Sequence, residues 1–158
     1  RIECYDISNI SGKEAVGSMV VSVKGMIDKS EYKRFKIKFK KTPDDFGMMY
    51  EVLYRRLKRE LPGSDMKSWG IPDLIIVDGG KPQVSSASDV VKDLGMSSPV
   101  VGIAKKFETW VYKEGEEFRE KKFPKDSLGM RLIIRLRDES HRFAQSYHHL
   151  LRKKSLIG

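Results

Sequence analysis

Cysteine is almost missing from this chain, and the one present, Cys4, leaves no internal disulfide to hold the fold. It sits in an apolar, strand-like pattern where a small buried thiol fits, which points to a reducing compartment. Long apolar runs are missing too. Nothing approaches the roughly 18 residues that span a bilayer, and no signal-peptide pattern is visible. A soluble, cytoplasmic protein without a membrane partner is expected. Negative charge is in deficit, with 22 aspartates and glutamates against 31 lysines and arginines and a formal net charge of +9. A polyanion is the natural partner of such a chain. Nucleic acid is the commonest, because each neutralised phosphate releases counterions whatever the base sequence. With 34% charged residues, a merely solvated surface gives the same balance, so charge alone does not choose. Repeats and low-complexity segments are absent, and 158 residues suit one core rather than two. Residues 1–158 are therefore expected to form one monomeric domain, and the start at Arg1 suggests a piece of a longer protein.

What is present is an ordered succession of patterns. Ile2 to Ser8 and Ala15 to Lys24 read as strands joined by turn chemistry at Asn9-Ile10-Ser11-Gly12. Tyr32 to Phe39 alternates, with Phe35 and Ile37 on an apolar face and Arg34 and Lys36 on a basic one, as a half-buried antiparallel strand does. Thr42-Pro43-Asp44-Asp45 is a helix start, with threonine as N-cap, proline in the first turn and an acid three positions on. Phe46, Met49, Tyr50, Leu53 and Leu57 then keep helical spacing as far as Leu61-Pro62-Gly63, with Arg55, Arg56, Lys58 and Arg59 mostly elsewhere. Leu74 to Val77 is apolar without alternation, a strand covered on both faces, and runs into Asp78-Gly79-Gly80. A helix from Lys81 to Leu94 and a buried strand from Pro99 to Ala104 follow. A hairpin from Thr109 to Phe123 around Glu114-Gly115 and a long helix from Ser127 to Lys154 complete the order. Three antiparallel-style strands followed by parallel βαβ units predict an α/β fold, a mixed sheet flanked by helices.

Two acids stand out. Asp6 and Asp78 each follow apolar strand residues, at the point where the strand is expected to run out. Either alone reads as a turn residue. If their strands are neighbours, the two carboxylates converge and repel unless a cation, magnesium or manganese, separates them. All three histidines, His141, His148 and His149, lie in the final helix. Ile134, His141 and His148 share one face, beside an apolar stripe of Leu132, Leu136, Phe143 and Tyr147. His141 is either a core-edge residue or a metal-site residue able to pass a proton to a leaving oxygen, and both readings stay open on the residues alone. Gly79-Gly80-Lys81 lacks the spacing of a nucleotide-binding phosphate loop, so the glycines are expected to let the backbone approach a substrate phosphate. Lys105 and Lys106 are candidate phosphate contacts or solvated strand-end lysines.

Ile2-Glu3-Cys4-Tyr5-Asp6-Ile7-Ser8, Pro43-Asp44-Asp45-Phe46, the run from Pro72 to Lys81 and Arg137-Asp138-Glu139-Ser140-His141-Arg142-Phe143-Ala144, in that order, closely resemble the UvrC family of bacterial nucleotide excision repair. The resemblance covers essentially the whole chain. It implies a ribonuclease H-like endonuclease domain that hydrolyses a phosphodiester with metal-activated water, 5′ to a lesion, using Mg2+ or Mn2+. It places the catalytic and metal-binding residues on Asp6, Asp78 and His141, a triad similar to that of Argonaute nucleases. Lys81, Lys105, Lys106 and Arg142 are then candidate DNA contacts, and Asp44 and Asp45 accessory residues, although at a helix start they also suit the helix dipole. The implied partners are damaged double-stranded DNA and UvrB, with UvrA upstream. A GIY-YIG nuclease before this segment and a helix-hairpin-helix module after it are implied as well. Pro82 stands where the family commonly has glycine, a departure that touches the loop's shape. The rival reading is a non-catalytic nucleic-acid-binding domain on the same fold.

Overall fold

β1 (Ile2–Ile10) sets the frame by alternation: Glu3, Tyr5 and Ile7 turn to one face of the sheet, and Ile2, Cys4, Asp6 and Ser8 to the other. The computed structural model describes residues 1–10, 14–38, 45–104 and 109–157. β2 (Glu14–Val23) pairs antiparallel along the whole of β1, from Ile2↔Ser22 to Ile10↔Glu14. The far edge of β2 is shared by β3 (Met26–Ile27) and β4 (Lys33–Lys36). On the other side β1 runs parallel to β5 (Leu74–Asp78), and β5 parallel to β6 (Val100–Ala104). The hairpin β7 (Thr109–Glu114) and β8 (Glu117–Lys122) closes the sheet antiparallel, turning through Gly115 at φ +64°. The mixed α/β sheet expected from the order of patterns is therefore present.

Helices cover both faces. α1 (Asp45–Leu57) and α2 (Lys81–Asp93) bury Met49, Val52, Leu53, Val84, Ala87 and Val90 on the side of Tyr5 and Val77. α3 (Leu128–Ile157) lies on the other side, where Ile133 and Leu136 meet Cys4, Val20 and Ile76. Ile75, Ile76 and Val77 are consequently buried on both faces, as a non-alternating apolar run requires. Among the described residues no helix is long and apolar enough to cross a membrane.

Four expectations change. β1 does not run out at Asp6 but continues to Ile10, because β2 goes on pairing with it after β5 has stopped. The expected strand from Tyr32 is shorter, ending at Lys36, with the Ile37 N–H still donating to the Ala15 carbonyl. Phe46 is exposed, and Arg56 lies not on the wet side of α1 but fully buried. Its guanidinium donates to both carboxylate oxygens of Glu3, at 3.1 and 2.7 Å, and to Glu60 at 2.8 Å. The expected apolar stripe of α3 is present in part, with Leu136 fully buried and Leu132 and Phe143 partly buried against the core beside the buried Met130, Ile133, Ser140 and Ala144.

Candidate active site

The parallel ladder between β1 and β5 aligns Tyr5 with Val77, so one further step brings Asp6 beside Asp78. Both then point to the α3 face. The helix comes close because the residues it presses on the sheet are small: Ser140 is fully buried, with its hydroxyl 3.4 Å from that of Ser18 on β2, and Ala144 lies one turn on. His141, next to Ser140, is thereby held over the two acids. Its Nε2 is hydrogen-bonded to Asp78 Oδ2 at 2.6 Å and lies 3.6 Å from Asp6 Oδ2. One turn earlier, Arg137 Nε donates to the second oxygen of Asp78 at 3.2 Å. Arg137 was not foreseen from the sequence, although its four-residue spacing from His141 puts both on one helix face.

Burial, and then the neighbouring Asp78 carboxylate, push the Asp6 carboxyl up to about 6 from an ordinary value of 3.8. His141 and Arg137 pull it the other way and do not win. Burial and the same two acids push the Cys4 thiol far up, so it stays an inert core group. One ligand atom each from Asp6, Asp78 and His141 lies within 4.8 Å of the others. Two hard carboxylate oxygens and one imidazole on one side of a half-open site suit Mg2+ or Mn2+, which bind through one or two carboxylates and leave positions for water and phosphate.

The other candidates are placed elsewhere or not described. Lys81 opens α2, exposed, with its ammonium 5.8 Å from the centre of the Phe118 ring. Arg142 is paired with Glu139 at 2.7 and 2.9 Å, and Glu139 also accepts from Tyr32, so the arginine is turned away from the triad. Asp44, Lys105 and Lys106 lie outside the described residues, and Asp45 is the first residue of α1. Of the glycines after Asp78, Gly79 takes φ +148° and a Cβ on it would stand 2.6 Å from the Gln83 side chain, while the Gly80 N–H donates to Gln83 Oε1 at 3.2 Å. A Cβ on Gly102 of β6 would stand 2.5 Å from the Gly79 carbonyl oxygen, so β6 needs glycine there. Pro82 falls in the first turn of α2, where a missing N–H costs nothing.

The fold has a counterpart in the crystal structure of human ENDOV, with a TM-score of 0.54, 12% identity, and 98% of this chain and 85% of that chain covered. At that identity the likeness is one of fold, ribonuclease H-like. UvrABC system protein C of Fusobacterium nucleatum subsp. nucleatum is 44% identical over 160 residues, 100% of this chain and 26% of its own length. The proteins of that name from Clostridium tetani and Methanococcoides burtonii are 44% and 45% identical, covering 99% and 94% of this chain and 27% and 24% of theirs. The chain thus spans about a quarter of the length of the curated relatives it matches. The model of the UvrC RNAse H endonuclease domain matches residues 1–145, from the first strand through His141 and Ala144 of α3, and the chain belongs to that family.

Proposed function

We propose that this chain is a divalent-metal-dependent DNA endonuclease domain that makes the incision 5′ to a lesion in nucleotide excision repair. The observation that carries this reading is the convergence of Asp6, Asp78 and His141 from three separate elements onto one point. A structural role explains one such residue readily and the three together poorly, since two acids side by side raise each other's cost of ionisation. Bound Mg2+ or Mn2+ would supply a Lewis acid for the phosphoryl oxygens and a water acidified toward neutral pH. Asp6 and Asp78 would hold the cation between them. His141, bonded to Asp78 Oδ2, would be either a third ligand or the group that hands a proton to the leaving 3′ oxygen. Arg137 keeps the other Asp78 oxygen and so fixes how that carboxylate faces the site. The substrate is damaged double-stranded DNA, delivered with UvrB after UvrA has acted.

The test uses the longer protein of which this is one domain, a lesion-bearing duplex labelled at either end, and both partners. Asp6→Asn, Asp78→Asn and His141→Ala should each remove the 5′ cut and spare the 3′ cut, while His149→Ala, at an exposed position of the same helix, cuts normally. Folded Asp6→Asn and Asp78→Asn proteins that still cut on the 5′ side would end the proposal.

A further inference from the structure

Past His141, α3 continues with polar chemistry that the cleavage step does not use. At about 100° per residue, Arg137, His141, Gln145, His148 and Arg152 fall within an arc of about 80°. The line that starts on Asp78 therefore runs on along one edge of the helix. It has a second anchor on the sheet: His148 Nε2 lies 3.1 Å from the hydroxyl of Ser8, two residues beyond Asp6 on the same face of β1. Gln145 and Arg152 are exposed, and no aspartate or glutamate follows Glu139, while His148, His149, Arg152, Lys153 and Lys154 do. The helix dipole favours cations only in the last turn, which leaves His148 unexplained.

We propose that Ser8, Gln145, His148 and Arg152 form a phosphate rail that guides the strand to be cut, an inference that rests on the endonuclease reading above. His148 stands about 10 Å along the axis from His141. That is about three steps of a strand rising 3.4 Å per nucleotide, so the rail meets phosphates beyond the scissile one. Its hydroxyl, amide, imidazole and guanidinium supply donors suited to phosphate oxygens without reading bases. The rail therefore sets strand path and register rather than sequence preference.

The experiment measures anisotropy of a labelled mixed-sequence duplex bound to the 158-residue chain in EDTA, across a salt series, so that no cleavage is needed. His148→Ala and Arg152→Ala should each raise Kd by about two- to fivefold, the worth of one exposed polar or ionic contact, and by the same factor on every sequence. Arg152→Ala should also flatten the plot of log affinity against log salt by about 0.9, and Arg152→Lys should restore most of it. Lys153→Ala, about 120° round the helix from His141, should bind as the unaltered chain does. In the cleavage assay His148→Ala should raise KM with kcat within about twofold, a split that a damaged fold would not give. Unaltered binding by both His148→Ala and Arg152→Ala overturns the rail alone. Failure of the unaltered chain to bind DNA at all likewise overturns the rail, whereas the endonuclease reading stands or falls on the Asp6→Asn and Asp78→Asn cleavage test above.

Discussion

Asp6 holds its place at a cost set by its neighbour. Because burial and Asp78 raise its folded value to about 6, the metal-free chain keeps a proton there that the unfolded chain sheds near 3.8. The contribution of Asp6 to the stability of the metal-free protein therefore falls as pH rises from about 4 through about 6, and above that its ionised carboxylate stands beside Asp78. A cation held between Asp6 and Asp78 would reverse the sign, since it would compete with the Asp6 proton. The gain in Tm from millimolar Mn2+ should be clear at pH 7.5 and should shrink steeply toward pH 5.5. Asp6→Asn should abolish that gain and raise the metal-free Tm at pH 7.5. A Mn2+ effect of equal size at both pH values would contradict this account. Of the four groups in contact here, Asp6, Asp78 and His141 were legible in the sequence, as strand-following acids and a helix histidine tied together by the family motif. Arg137 was not, because an arginine in a basic helix looks like any other solvated cation until its partner is placed.

At the level of elements, α1 shows where periodicity was read too simply. Arg56 lies three residues from Leu53 and seven from Met49, on the very stripe that faces the core, yet its charge argued for the surface. Glu3 likewise lies between Ile2 and Cys4 in a buried strand. Each was the signal for the other: an acid and a base at interior positions of two elements imply that the elements pack through them. The pair is fully buried, with the Tyr5 hydroxyl donating to Glu3 and the Arg56 guanidinium also donating to the Gly70 carbonyl. Removing one member strands the other, so Arg56→Ala should cost about 3–5 kcal/mol in urea unfolding. The double change Arg56→Met with Glu3→Gln should cost clearly less than the sum of its parts. A loss below about 1 kcal/mol for Arg56→Ala would mean that water or another cation replaces it. β1 was foreshortened for a related reason: a strand's end depends on its longest-paired neighbour, and the extent of that pairing is a tertiary fact.

For the whole molecule, the order of patterns was enough to foresee a mixed sheet with helices on both faces, because connection rules leave few alternatives for that order. The sequence shows the excess of positive charge and its gathering past Glu139, but not where that half of α3 lies over the sheet, since that depends on which way the helix crosses. The crossing has a kinetic consequence. The last buried residue of α3 among those described is Ala144, and the helix runs on to Ile157 with no described side chain buried. Beyond Ala144 the segment is tied to the sheet only at partly buried residues, with Ser146 accepting from Arg34 and His148 beside Ser8, and a helical segment of that length is marginal in water with so little packed against it. Hydrogen exchange should divide α3 in the middle, with slow amides up to about Ala144 and fast ones beyond, in free protein. Saturating DNA should slow the second half far more than the first. The helix would then act as two bodies in one rod, its first half ordered by the sheet and its second half ordered by the nucleic acid.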